Sequence, residues 1–548
     1  MHTTPEHTAT PDRIVLASRV HTMEPAPASD GPANPVTAIA LSGDRVLATG
    51  THDEMLGLRG PGTVIDDFAG TVYPGFTDSH THVILGLELT RGLHLTDLDL
   101  DTVRARVAAA AAELPDGAWI HGWGADPNIF TGSGFTGRIF DDVAGDHPLF
   151  IRMRDAHSAV VNSTTIDLLG LTGRETFPDE SRIGVDDQGV PTGYVLELAA
   201  IDLVLSQAPP ETIAQQADRV WAVLTGMAAS GIASTHVLDF HRGSREILEL
   251  AEERGDLPVR LRFSPIVPAG ASEAQLREFA ELQGLRGRRW RVEGVKFMID
   301  GTVDNGSAWL AEPDCFGQGL RSLWTDPEAY RAALRYFAER GVPTATHAIG
   351  DRGVDFVLDA LESLGDLRAN AAHRIEHIET IPDETVQRFA ALGVAASMQP
   401  IHGTHHTRAD RSDNWSVRLG DTRAARGWRC ADIRRSGAVL ALGSDWPVTP
   451  YDPRAMLADT ILRYPVERPG TPPVQPEQAL TRREALEGYT VHAAAASGLL
   501  DDEGTLAPGK RANLTVLDAD LLDTPPERFP EVGVLATFVD GVPAHVNR

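Results

Sequence analysis

Lysine is almost missing from this chain. Of the 49 lysine and arginine residues among 548, only Lys296 and Lys510 are lysines. Arginine serves wherever a plain positive charge is enough, so each surviving amine invites a chemical reason. Lys510 lies in Ala-Pro-Gly-Lys-Arg, a turn in which a solvated charge is an ordinary occupant. Lys296 lies in Val292-Glu-Gly-Val-Lys-Phe-Met-Ile-Asp300, a mostly apolar strand in which a buried ammonium is costly unless modified or paired. Cysteine is equally scarce. Cys315 and Cys430 cannot build a disulfide framework for so long a chain, which points to a reducing compartment. No apolar run reaches membrane-spanning length, and Met1-His-Thr-Thr-Pro-Glu-His lacks the basic start and apolar core of a signal peptide, so a cytoplasmic location is expected. Basic charge is in deficit: 77 acidic residues give a net charge of −28, which repels nucleic acid and anionic lipid. The expected partner is a small-molecule substrate, not nucleic acid or a membrane, with a homodimer left open.

What is present is a soluble globular composition, long enough for two to four domains or one large barrel with additions. The organising stretch is Val72-Tyr-Pro-Gly-Phe-Thr-Asp78-Ser-His80-Thr-His82. After the Pro74-Gly75 turn, His80 and His82 occupy alternate positions of an extended run and so share a face. Two imidazoles aimed from one strand begin a metal site, although the pair alone also fits two ordinary polar residues at a strand end. Residues 12–72 contain only short strand-like runs, and Ala512 to Asp518 and Gly533 to Asp540 are again β-like, with Asp540-Gly541 a hairpin signal. The ends are predicted to form one small β domain, 1–72 with 506–548. Between them helix-like and strand-like segments alternate, as in Ala329 to Arg340 followed by Val342-Pro-Thr-Ala-Thr-His347. That alternation predicts a parallel α/β barrel over 73–505, with its chemistry at the C-terminal strand ends. Asp101 to Glu113 and Pro209 to Met227 read as amphipathic helices, and His405-His406 as a solvated loop.

Metal-competent residues recur at those predicted strand ends. His347 precedes a glycine turn, His373 and His377 lie four apart in one short strand, and Asp445 ends the apolar run Ala438-Val-Leu-Ala-Leu-Gly-Ser. Singly, each has an ordinary explanation, as a hydrogen-bonded histidine or a helix N-cap. Jointly they favour a metal centre.

These residues in this order, with Gly294-Val-Lys-Phe-Met-Ile-Asp-Gly, Thr346-His-Ala-Ile-Gly-Asp, His373-Arg-Ile-Glu-His, Ser397-Met-Gln-Pro-Ile-His402 and Gly443-Ser-Asp-Trp-Pro, resemble the amidohydrolase superfamily. The resemblance is to its YtcJ-like branch, which includes N-substituted formamide deformylases. It implies a TIM-like (β/α)8 barrel, a small composite β-sandwich domain from both termini, and an inserted α/β segment over about residues 95–215. It also implies two divalent metal ions, with His80, His82 and Asp445 at the more buried one and His347 and His377 at the other. Lys296, carboxylated to a carbamate, would bridge them. Zinc suits this ligand set, with manganese, iron and nickel as alternatives. The implied reaction is C–N bond hydrolysis, in which a metal-bridging hydroxide attacks an amide or formamide carbonyl while catalytic Asp445 moves the proton.

Around this set, His373, Asp300, His402, His157, Trp123, Asp126 and Trp446 are assigned to substrate binding or to orienting the ligands, with His373 also an alternative to His377 as ligand. Packing explains the tryptophans equally well. No convergent arginine cluster marks an anionic substrate, so a small neutral, partly aromatic amide is expected. Two alternatives stand beside this reading. A mononuclear deaminase or cyclic-amide hydrolase is disfavoured by Lys296, and a non-catalytic binding barrel by the complete ligand set.

Overall fold

Both ends of the chain meet in one seven-stranded sheet, in the order Val542–Val546, Val534–Val539, Leu514–Leu517, Val64–Pro74, Arg13–Val20, Ala38–Ser42 and Arg45–Gly50. The join is antiparallel, with Val72 opposite Val516. The predicted hairpin turns at Asp540 and Gly541, with φ of 54° and 73°, the left-handed pair that suits the twist of flanking strands. The computed structural model describes residues 10–25, 35–96, 98–130, 136–154, 158–177, 181–241 and 243–547 of this α/β fold. Residues 1–82 with 220–548 form one compact unit and 83–219 another.

In the larger unit, Val64–Pro74 runs straight into Phe76–Thr81, the edge of a four-stranded parallel sheet with Ile232–Val237, Arg260–Phe263 and Trp290–Val292. A second parallel sheet holds Val295–Met298, Thr344–Ala348, His373–His377, Ala395–Met398 and Leu440–Leu442. Parallel bridges from Ile266 to Lys296 and from Thr81 to Trp446 link the two sheets at both margins. Helices alternate with these strands, and the one predicted over 329–340 spans Pro327–Ala338. It starts there because Asp326 caps the N–H of Glu328 and Pro327 fits the first turn. Its buried stripe of Tyr330, Leu334 and Phe337 faces Phe297, whose ring lies 5.3 Å from Tyr330 and 6.0 Å from Phe337. Phe297 is thereby committed to the helix side of its strand, and its neighbour Lys296 to the other.

The smaller unit is built on a six-stranded sheet, in the order Arg182–Val185, Pro191–Leu196, Ser158–Val161, Leu149–Met153, Ile120–Ala125 and Leu93–His94. Its helix Leu100–Glu113 is capped by Asp99. The helix predicted from Pro209 begins only at Ile213, because Thr212 caps it: Thr212 Oγ1 accepts from the Gln215 N–H and Gln215 Oε1 from the Thr212 N–H. His405 and His406 close a helix, Pro400–His406, instead of lying in a solvated loop. Pro400 starts that helix, buried Ile401 anchors it, and His405 bonds to Asp459 at 2.8 Å. Among the described residues no helix is long and apolar enough to cross a membrane.

Candidate metal centre

The polar cluster forms where the parallel strands end. Phe76–Thr81 carries Asp78 and His80, both fully buried, and delivers His82 just beyond its last residue. The segment after Leu440–Leu442 can pass close only because residue 443 is glycine. A Cβ there would lie 2.6 Å from the His80 nitrogen and 2.9 Å from Asp78 Oδ1. Asp78 Oδ1 accepts from the backbone of His80 and of Ser444, at 3.1 and 3.0 Å, and the Asp445 N–H donates to the His80 carbonyl at 2.7 Å. Asp445 has φ of 56°, a left-handed backbone uncommon outside glycine and typical of functional sites. Its Oδ1 lies 3.3 Å from Nε2 of both His80 and His82. Its Oδ2 lies 3.8 Å from His402 Nε2 and 4.0 Å from His377 Nδ1. The His377 ring in turn lies 4.8 Å from that of His80 and 4.4 Å from that of His347.

Burial sets the protonation states and the neighbours refine them. Burial, then the Lys296 charge, holds His80 well below its ordinary value and His347 down at about 3. His377 is lowered by burial and then by His347 and His80. For His82 burial works against protonation, yet Asp239 and Asp445 push it up to about 9. Burial alone would raise Asp445, but His80 and His82 hold its carboxyl well below the usual range. Lys296 is 1% exposed, and burial pulls its amine down to about 8 against the opposing pull of Glu376 and Asp445. His80 Nε2, His377 Nδ1, His402 Nε2 and Lys296 Nζ are all buried without a hydrogen-bond partner. Leaving that many nitrogens unpaired is costly, whereas neutral imidazoles beside a carboxylate are the donor set of a divalent ion. His80, His82 and Asp445 form one group that can hold a cation once His82 gives up its proton, and His377, His402 and Asp445 another. The residues fit a metal.

Other residues singled out from the sequence fall elsewhere. His373 begins the strand that His377 ends, about 13 Å away, and shares a hydrogen bond with Thr344 Oγ1 at 2.8 Å. Its assignment beside the metal ligands is corrected: alternation puts the two histidines on one face but at opposite ends. Asp300 accepts backbone N–H bonds from Trp309, Ile349 and Gly350, so it fixes the loops beside His347, whose Nε2 it approaches at 3.6 Å. That same Nε2 lies 3.1 Å from the Gly301 carbonyl, which leaves Nδ1 for the cluster. Trp446 is buried, and its carbonyl accepts from the His82 N–H at 2.8 Å. Trp123 stacks on His94, with centroids 4.6 Å apart, and Asp126 pairs with Arg154 at 3.1 Å, all within 83–219. His157 lies outside the described residues.

Two carboxylates of the cluster are not evident from the sequence. Glu376 Oε2 meets His80 Nδ1 at 2.7 Å, while Oε1 meets Arg374 Nε at 2.6 Å. Asp239 Oδ2 stands 3.5 Å from His82 Nδ1. Glu376 and His377 are consecutive and would face opposite sides of a regular strand. Positive φ at His377 and Ile378, 73° and 51°, ends the strand and lets both address one cluster. For Asp239 a signal existed: Val237-Leu-Asp239 closes an apolar run with an acid, as Leu442-Gly-Ser-Asp445 does.

The amidohydrolase family profile matches residues 64–545. The N-substituted formamide deformylase of Arthrobacter pascens is 27% identical over 523 residues, covering 92% of this chain and 94% of that protein. The putative amidohydrolase YtcJ of Bacillus subtilis is 26% identical over 518 residues, covering 92% and 95%. Among solved structures, an uncharacterized metal-dependent hydrolase from Pyrococcus furiosus matches with a TM-score of 0.71 and 26% identity, over 93% of this chain and 100% of that one.

Proposed function

This chain belongs to the amidohydrolase family, and from that premise we propose that it is a metal-dependent hydrolase cleaving the C–N bond of a small neutral amide, of the N-substituted formamide kind. The observation that carries the reading is the meeting of His80 and His82 on one oxygen of Asp445, with the Lys296 amine unpaired in the same buried cluster. His80, His82 and Asp445 would hold one cation, His347 and His377 a second, and Lys296 would serve both. When bound, such ions, zinc first among the candidates, supply Lewis acidity and make water acidic enough to attack at neutral pH.

The chain's own groups do the rest. Lys296, drawn down to about 8, offers a free-base amine that can add carbon dioxide, releasing a proton and turning an unpaired nitrogen into an anionic ligand. Asp445 accepts the proton of the attacking water and returns it to the departing nitrogen, because an amine leaves poorly without one. Glu376 accepts from His80 Nδ1, which keeps Nε2 as the free lone pair. His402, on the other oxygen of Asp445, contributes a hydrogen bond to the substrate.

We read the two parallel sheets as one eight-stranded barrel, supported by the bridges at both margins. Trp290–Val292 and Val295–Met298 would be halves of one strand, broken at Gly294 with φ of 103°. Residues 1–72 with 506–548 would form the sandwich, a reading supported by apolar clusters on both faces of the terminal sheet, and 83–219 would be the insertion. The test is metal analysis of protein expressed with zinc or manganese, joined to a screen of N-substituted formamides, acyl amides and cyclic ureas. About two metals per chain and formamide turnover are expected. One metal with deaminase or cyclic-urea activity would replace this reading by a mononuclear one, and no metal and no turnover by a binding protein.

A further inference from the structure

A second polar region lies at the opposite, N-terminal ends of the same strands. A cavity of about 330 Å³ is bounded by Thr77 of Phe76–Thr81, by Ser234, Thr235 and His236 of Ile232–Val237, by the first residues of Arg260–Phe263, by residues 286–291 and by residues 497–511. Six guanidiniums line it, from Arg260, Arg262, Arg286, Arg288, Arg291 and Arg511, against two carboxylates, Asp502 and Glu503. In a chain with 77 acidic residues this local balance is inverted.

The arginines' existing partners show how the walls are held. Asp540 pairs with Arg260 and Arg511, Glu293 with Arg262 and Arg291, and Asp256 with Arg288, and none of these three acids lines the cavity, while Arg511 also pairs with Asp44 and with the lining Asp502. Each guanidinium carries five N–H donors, so the single carboxylate on Arg260 and on Arg291 fixes its position and leaves donors over, whereas Arg511 is largely committed to its three acids. Arg286 is exposed and pairs with no carboxylate among the described residues. Deeper in, two lining side chains are more than nine-tenths buried: Arg262, whose Nε faces Glu293 at 3.3 Å, and His236, whose Nδ1 has no hydrogen-bond partner. His236 is held in place through Nε2, 2.9 Å from Ser264 Oγ.

We propose that this cavity is a second binding site, separate from the metal cluster, for a small multivalent oxyanion bearing a phosphate or two carboxylates. Guanidinium forks match the paired oxygens of both groups, and several converging on one space select a multivalent anion over a monovalent one. The volume lies at the lower end of the range for small-molecule sites. The net charge of −28 repels anions at long range, so recognition rests on these local contacts. Glu503 lies among Arg260, Arg511 and Arg262 and competes with an incoming anion for their charge, which gives the proposal a test with two signs.

The experiment is calorimetric titration of the metal-loaded full chain with inorganic phosphate and with malonate, at ionic strength fixed by sodium chloride. Wild type, Arg286→Ala and Glu503→Gln are compared. Saturable binding is expected, weakened about tenfold by Arg286→Ala and strengthened severalfold by Glu503→Gln. Turnover without added anion should be unchanged in Arg286→Ala, whose exposed side chain the fold does not need. Binding of either anion with these two signs supports the site, and the tighter of the two names the headgroup. Equal affinity in all three proteins would place the anion elsewhere, the metal cluster included, and overturn the proposal, as would no binding at all.

Discussion

Asp445 and Asp540 are both largely buried carboxylates ringed by nitrogen, and they do opposite things. Around Asp540 the nitrogens are guanidiniums: Arg260, Arg289 and Arg511 approach it at 2.8, 3.3 and 2.9 Å. Guanidinium stays charged at any physiological pH, so Asp540 is held by permanent positive charges that leave it no lone pair to offer a metal ion. Around Asp445 stand imidazoles that burial keeps neutral at His80 and His377, and their lone pairs are left without partners. The first arrangement holds the sheet of the chain ends to the arginine-rich strands. The second is stable only in company, because unpaired buried nitrogens gain more from a cation than from each other.

The comparison can be broken experimentally. Asp445→Asn should have the largest effect, a loss of turnover of about 10³-fold with reduced metal content, since it removes both the proton carrier and an oxygen ligand. Turnover near wild type at full metal content would remove Asp445 from the chemistry. Asp540→Asn should cost about 3 kcal/mol of stability by leaving three partly buried guanidiniums short of a partner, with turnover per bound metal unchanged. Thermal unfolding and activity measured on the same sample separate the two, and lost turnover at wild-type stability would show that the clusters differ less than argued. Glu376→Gln sharpens the contrast from within. It should weaken metal binding about 10- to 100-fold in a metal-buffered titration, because the amide no longer fixes the tautomer of His80 through Nδ1. Unaltered metal affinity would reduce Glu376 to a partner of Arg374.

How much of this was legible in the sequence depends on which residues stand out from their background. Lys296 was conspicuous because lysine is so rare here, and His80 and His82 because alternation ties them to one face. The α/β alternation and the hairpin at Asp540-Gly541 were readable from periodicity and turn chemistry. Glu376 was hidden, since its neighbour His377 should have faced away and only the left-handed backbone at His377 and Ile378 brings both inward. His373 was over-read for the converse reason: a shared face says nothing about which end of the strand matters. The arginine-lined cavity runs against the expectation of no convergent arginine cluster. It was invisible because Arg262, Arg286 and Arg511 come from distant segments, and in this chain arginine is too common to draw notice.

His373 supplies the smallest and most selective test, because it differs from His377 only by its place along one strand. Buried at the strand's start and bonded to Thr344, its imidazole is pulled by burial down to about 4, against about 6.5 in an unfolded chain. Between those values the unfolded chain binds a proton that the folded chain does not. The stability tied to this group is therefore complete above about pH 6.5 and declines as the pH falls toward 4, by about 1.4 kcal/mol per pH unit. At pH 5 the loss amounts to about 2 kcal/mol. His373→Asn keeps a polar partner for Thr344 and abolishes the titration. Comparing thermal midpoints of the metal-free proteins at pH 7 and pH 5, the wild type should fall further than the variant, while at pH 7 the variant binds metal as well as the wild type. A variant that loses metal instead would put His373 at the cluster's end of the strand and undo its separation from His377.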